Sequence, residues 1–524
     1  MAGAGEEQAA PAPPPPHLDP PMDDEAPAGK LRRLEQHRRV GEEPYFRMEN
    51  LPEEIQPVVM SLLTLKEAVR TSIVARSWRM LWSFHSNLCF YGPNNLDYDS
   101  DEYHGGDKQA IDDFIKIKRD KFIEDVNWVI QRHSGVGINK FSIRCGLHKE
   151  DFDHLHRWIA FAASSKAKVI EFDLKIINGP SKEVHHFPLE ALDVQGNSFV
   201  QSLFLADVFI KPHSDIRGFT ILRKLVLEYV QMFGDLPGLL ANCSALEDLA
   251  IIQCSGVANL SIPRKLDKLQ HLLIDRTNVV MVEFQAAHLA HFEYKGHNIP
   301  IVLHGCSELE KATIKFTGSS KGLGRVFTVV PSILPVKILD VQADIYGYEQ
   351  LQKLTTVSRG MFTRLRHMTC QLNVHYNTNE PNADNGVLQV AHCLNVAPHL
   401  ETLHLHMAYL NKYGQASHEL NNAEEESSPM RRHDHLKTVY MSGFRLYKAQ
   451  KKLACSILES ASVLEHMQLE PRVAGVGDWA EICYFLNDRV EKKFVPQVCE
   501  WARLTSLRFG KVVSAAVDAP LQNE

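Results

Sequence analysis

The chain has 524 residues, 44% of them hydrophobic and 23% charged, with a formal net charge of -7. Such a length can bury a large core, while the acidic balance argues against nucleic acid as a partner, which calls for a basic stripe. Ten cysteines without a C-x-x-C pair or regular spacing match neither a zinc site nor a disulfide framework and suit reduced thiols inside a cell.

Residues 1 to 45 carry few branched or aromatic side chains and are expected to form a disordered Pro-rich tail. Its opening, MAGAGEEQAAPAPPPPH, lacks the basic-then-apolar order of a signal peptide. No run of about 18 apolar residues follows anywhere, so a soluble protein of the nucleus, the cytoplasm or both is expected, without a membrane partner. The basic run from Lys30 to Arg39 has the composition of a nuclear import signal and equally that of a solvated charged segment.

Three short helical patterns crowd residues 46 to 90. Ile55, Val58, Val59, Leu62 and Leu63 recur at the spacing of one helix face, with Pro52 in the first turn, where its missing N–H is harmless. Thr64 with Glu67 three residues on has the form of a capping box opening a second helix through Leu65, Ala68 and Val69. Val74, Trp78, Leu81 and Trp82 suggest a third.

The LPEEI start, the LLTLKEAVRTSIV middle and the W-x3-W end resemble a plant-type F-box. That resemblance implies a Skp-family adaptor as partner and, through it, a cullin ubiquitin ligase. It carries over Leu51, Pro52, Ile55, Val59, Leu62, Leu63, Leu65 and Trp78 as adaptor-facing and helix-packing positions. A unit of about 40 residues is marginal alone, so an apolar surface on it is expected to pair with something. Pro57 departs from the pattern: about five residues into the expected first helix, it removes a hydrogen bond at a cost of roughly 3 kcal/mol and would weaken docking.

Residues 91 to 110 are acidic and Gly-rich and read as a loop. Ile111, Phe114, Ile115, Phe122, Val126, Val129 and Ile130 then give a helix suited to capping a repeat array. From residue 138 a degenerate L-x-x-L-x-L recurs fourteen times, from Ile138-Phe141-Ile143 and Val169-Phe172-Leu174 to Leu504-Leu507-Phe509. The last two positions of each unit share one face of a short strand. The expected class is therefore α/β: a small three-helix F-box followed by an irregular leucine-rich-repeat solenoid with a parallel sheet, residues 111 to 510, and a tail from 511 to 524. Cys254 stands where tidy repeats carry an Asn/Cys ladder. Gly443-Phe444, the AQKKLACSILESA helix and the LEHMQL strand within 435 to 471 resemble the FBD segment that follows repeats in many plant F-box proteins.

The outward residues of the strands are candidates for holding a target: His271, Asp275, His291, Glu293, Lys295, Lys311, Lys315, His404 and His406, with Lys224, Glu228, Asp248 and His367 in the same array. Each is equally a solvated surface residue. His404 and His406 share a strand face, yet no third ligand at zinc spacing accompanies them, so no metal is expected. G-x-S-x-G, G-x-x-x-x-G-K-[ST] and H-E-x-x-H patterns are missing; no enzyme activity and no cofactor are expected, KGLGR at 321 to 325 reads as a turn, and Ser427, Ser428 and Pro429 lie in an acidic loop. The function implied is substrate recognition for a Skp/cullin/F-box ubiquitin ligase. The alternatives are a non-degradative interaction scaffold and a receptor for a small molecule that bridges to a target.

Overall fold

The computed structural model describes residues 51–52, 55–71, 78–93, 108–175, 184–193, 196, 198–262, 266–316, 333, 335–346, 362–376, 387–411, 430–473 and 491–516. The basic run at 30–39, the acidic stretch 94–107, KGLGR and the Ser427-Ser428-Pro429 loop lie outside them. Two compact units divide between Gln56 and Pro57. In the first, the Ile55 and Gln56 N–H groups donate to the Pro52 carbonyl at 2.9 and 3.3 Å, and Gln56 Nε2 reaches the Leu51 carbonyl at 3.0 Å.

The helix expected from Pro52 begins later, as α1 (Gln56–Met60). Pro57 is thus its second residue rather than an interior one, and the expected penalty does not arise, because first-turn N–H groups lack intrahelical acceptors anyway. The second helix, α2 (Leu65–Thr71), starts as the sequence indicates. The Thr64 N–H donates to the Glu67 carboxylate at 2.9 Å and the Glu67 N–H donates to the Thr64 hydroxyl at 3.3 Å. Hydrogen bonding from Thr64 holds the Glu67 carboxyl below the usual range. Of the expected third helix, Val74 lies outside the described residues, and Leu81 and Trp82 belong to a single 3-10 turn, Leu81–Phe84.

Among the described residues, fifteen parallel strands form the main sheet in chain order, from Asn87–Tyr91 to Val512–Ala515. Alternation puts every second residue of the strands inward, two in most of them and four in Ile338–Tyr346, His367–Tyr376 and Thr402–Asn411. Leu88, Phe141, Ile170, Leu203, Leu225, Leu249, Leu272 and Phe292 make one buried row, and Phe90, Ile143, Phe172, Leu205, Leu227, Ile251, Ile274 and Tyr294 the next. Two helices flank the first strands, α3 (Lys108–Arg132) and α4 (Phe152–Ser164). Trp158 Nε1 of α4 donates to Asn127 Oδ1 of α3 at 3.0 Å.

Two repeat units differ from the sequence reading. Val169 is an outward residue and Ile170 and Phe172 point in, so that unit reads Ala167-Ile170-Phe172, and Leu174 is buried just past the strand. Leu504-Leu507-Phe509 is not a strand: it lies in the helix Glu491–Phe509, which buries Phe494, Val498, Ala502 and Thr505 and leaves Leu504 and Leu507 exposed. The strand follows at Val512–Ala515, inside the stretch expected as a tail, and pairs with His466–Glu470. A strand the repeat pattern missed, Asn87–Tyr91, opens the sheet within the stretch assigned to the helical module.

After four successive main strands the chain turns a corner through a left-handed residue: Asp207, Tyr229, Gln253 and Arg276, with φ between 44° and 56°. Their N–H groups continue the ladder, each to a carbonyl of the next repeat, as in Tyr229 N–H to Ile252 at 2.9 Å. The turn delivers the chain to one of two small parallel sheets, His185–His186, Val208–Ile210 and Gln231–Met232, or Asn259–Ser261, Met281–Gln285 and Ile301–His304. Between Thr438–Ser442 and the helix Lys448–Ser460, Gly443 turns the chain at φ 70°, with the Met407 carbonyl where a Cβ would stand.

Candidate functional site

Apolar side chains of the helical module are left in water. Leu62 is 81% exposed, Val58 57% and Ile55 44%, and Pro52 is exposed, whereas Leu51, Val59, Leu63, Leu65 and Trp78 are partly covered. Internal packing of residues 57 to 71 rests instead on Met60 and Ala68, both buried, with the Thr71 hydroxyl donating to the Ala68 carbonyl at 2.7 Å. Leu62 and Val58 therefore stand free of the core, which spacing alone does not reveal.

A second surface is the outward face of the main sheet. Parallel register aligns Lys224, Asp248, His271, His291, Lys311 and His367 in one row, with Ile338 between the last two. Another row holds Glu228, Ile252, Asp275, Lys295 and Lys315. Glu293 pairs with Leu273 and Thr313 between these rows. Several neighbours on this face are chemically matched. His271 Nδ1 is 2.7 Å from an Asp248 carboxylate oxygen, its ring stacks on His291 at 4.8 Å, and Lys311 is 3.2 Å from Asp340. Asp275 is buried beside Arg276 at 3.1 Å and Lys295 at 3.8 Å, so it holds those cations in place rather than meeting a partner itself.

His404 continues the row of Glu293 through Thr313, Asp340 and Thr369, and His406 that of Lys315 through Gln342 and Gln371; on their other side they pair with Tyr440 and Ser442. His404 is exposed, and its ring lies 5.7 Å from that of Tyr440. His406 is buried, with a hydrogen bond between Nδ1 and Ser442 Oγ at 2.8 Å. Burial, and then the neighbouring His404, push its pKa down to about 4. It is neutral at physiological pH and offers no contact to an outside molecule, which corrects its place among the target-facing candidates.

Burial pushes the thiols of Cys145, Cys243 and Cys254 up to about 12, far from nucleophilic thiolates. Among the described residues, no group of three or more His, Cys, Asp or Glu is placed to hold a metal ion, and no helix is long and apolar enough to cross a membrane. Residues that sequence reasoning passed over are His85 and Trp128, and nothing local in the sequence identifies what they meet.

The F-box domain model matches residues 48–90, and the model for the leucine-rich-repeat domain of At1g61320/AtMIF1 matches residues 129–484, more than half of the chain. Three relatives are from Arabidopsis thaliana. F-box/LRR-repeat protein At3g58940 is 38% identical over 115 residues, 22% of this chain and 16% of the relative. F-box/LRR-repeat protein At3g59200 is 26% identical, covering 47% of this chain and 45% of the relative. Putative F-box protein At3g58860 is also 26% identical, covering 48% and 52%. The chain thus spans about half, or much less, of the length of these relatives.

Proposed function

Because the chain belongs to the At1g61320/AtMIF1 leucine-rich-repeat family and carries an F-box domain ahead of its repeats, we propose that it is the substrate-recognition subunit of a Skp/cullin/F-box ubiquitin ligase. The helical module binds a Skp-family adaptor, and the outward rows of the sheet hold a target protein. The chain contributes proximity and no bond chemistry: it raises the effective concentration of a target lysine near a ubiquitin thioester carried elsewhere in the complex, and needs no cofactor. It works in the nucleus, the cytoplasm or both. The FBD-like stretch 435–471 serves as part of the target-holding array.

One observation carries this reading. Leu62 and Val58 are exposed on a module whose own packing does not use them, and burying such a side chain in an interface is worth about 1.5–3 kcal/mol. The polar rows beyond it suit a protein surface of mixed charge. The test is capture of the full chain on an immobilised Skp-family adaptor, comparing wild type with Leu62→Asp and with a Leu51→Ala, Pro52→Ala double variant. Capture is expected to fall at least tenfold while the melting temperature stays put; equal recovery of all three would overturn the assignment. A chain that captures the adaptor yet supports no ubiquitin transfer in the reconstituted ligase would be a scaffold instead.

A further inference from the structure

Where the helical module meets the first repeat, two histidines are wired in series. His85 is 2% exposed and both of its ring nitrogens are engaged. The Asn87 N–H donates to Nδ1 at 3.1 Å, which leaves the proton of the neutral ring on Nε2, and this nitrogen donates to the Leu63 carbonyl at 3.0 Å. The His85 carbonyl in turn accepts from His133 Nε2 at 3.0 Å, and His133 Nδ1 accepts the Gly135 N–H at 3.1 Å. Each ring has one workable tautomer, and the two links run the same way, from His133 to His85 to Leu63.

The surroundings reinforce that line. Ser134 N–H donates to the Ser83 carbonyl at 2.9 Å and Asn139 N–H to the Ser86 carbonyl at 2.7 Å. The left-handed Gly135 and Gly137 let the chain leave α3 and fold back to make these bonds. Trp82 of the 3-10 turn stacks on Trp128 of α3, centroids 5.2 Å apart and planes 16° off parallel, with the Arg132 guanidinium over the Trp128 ring at 4.6 Å. The His133 ring meets Phe161 of α4 edge-on, and Phe161 touches Phe141 of the first inward row. Contacts therefore pass without a break from the turn after α1 into the core of the sheet.

We propose that His85 is the positioning residue of a rigid joint, through which residues 57–71, residues 78–84 and the first repeats move as one body. The surface bearing Val58 and Leu62 and the outward rows of the sheet are then held at a fixed separation. The use of that fixed separation for presenting a target rests on the function proposed above; the joint itself does not.

Spin labels on unnatural side chains replacing Lys66 and Lys224, both exposed, report the distance distribution across the joint in the full chain by pulsed electron resonance. Wild type is expected to give one narrow peak, and His85→Ala to broaden it at least twofold. His85→Gln, whose amide can still reach the Leu63 carbonyl, restores a narrow peak. His85→Asn keeps an acceptor for the Asn87 N–H but is too short for Leu63, and stays broad. Amide exchange at Ser134 and Asn139 rises at least tenfold in the Ala and Asn variants while that at Leu249 and Leu272 is unchanged, which separates a loosened joint from unfolding. If His85→Ala loses the first repeat, His133→Asn gives the same reading, since it keeps an acceptor for Gly135 and removes the donor to His85. Unchanged peak width and exchange in these variants would overturn the joint. Loss of adaptor capture by the wild-type chain would overturn the proposed function and leave the joint standing.

Discussion

His406 and Ser442 meet across two outward strand positions, Nδ1 to Oγ at 2.8 Å, in a place closed to solvent. The folded protein therefore keeps His406 neutral, with a pKa pushed down to about 4 chiefly by burial, whereas the unfolded chain takes up that proton near 6.5. With the folded value depressed, the associated stability is present in full above about 6.5 and is lost as the pH falls towards 4. The loss from this group is about 2 kcal/mol by pH 5, a tenfold difference in proton affinity being worth about 1.4 kcal/mol. Burial moves His133 and His433 in the same direction, so their effects add. Urea midpoints at pH 7.5 and 5 should separate clearly for the wild type and less for His406→Gln. Equal separations would remove His406 from the account.

Thr277 supplies the ladder contact that Cys254 alone cannot. Its hydroxyl oxygen accepts the Cys254 N–H at 3.2 Å and lies 3.1 and 3.3 Å from the Asp275 and Ile251 carbonyls, all in the buried corner of the repeat. Thr277→Val keeps the shape and leaves a buried N–H without an acceptor, a loss of about 1–3 kcal/mol. Thr277→Ser should recover most of it. Urea unfolding checks both, with the expected change in midpoint and none in slope.

Strand positions are legible in this chain because a strand that buries one face must alternate, and Leu225-Leu227 or Leu272-Ile274 can be read two residues at a time. The same rule misleads at Leu504-Leu507-Phe509. There the deciding signal is the wider one, Phe494, Val498, Ala502 and Thr505, whose helical spacing outranks a chance L-x-x-L-x-F. Thr64 and Glu67 are legible because a capping box is local. His85 and His133 are not, since their partners are a carbonyl 22 residues away and another 48 residues away, and no sequence period connects them. On the outward face the row of His271, His291 and Lys311 follows from register alone, but the burial of Asp275, at a strand end, and of His406, in mid-strand, depends on what packs over each of them.

The corner residue Gln253 is a non-glycine at φ 50°, and its Oε1 is buried without a hydrogen-bond partner. Left-handed backbone costs an L-residue roughly 1–2 kcal/mol, so Gln253→Gly removes strain and an orphaned acceptor together. Against this, glycine adds flexibility to the unfolded chain worth about 0.5–1 kcal/mol. The two nearly cancel, and Gln253→Gly should unfold within about 1 kcal/mol of the wild type. Gln253→Val meets the opposite fate: a β-branched side chain is a genuine outlier in this region, and the Gln253 N–H bond to the Asp275 carbonyl at 2.7 Å prevents the backbone from relaxing to an extended conformation. Its expected loss exceeds about 2 kcal/mol. Urea midpoints of the two variants, measured side by side, decide whether the corner demands a left-handed residue: if valine were tolerated as well as glycine, the turn would owe its conformation to something other than backbone geometry.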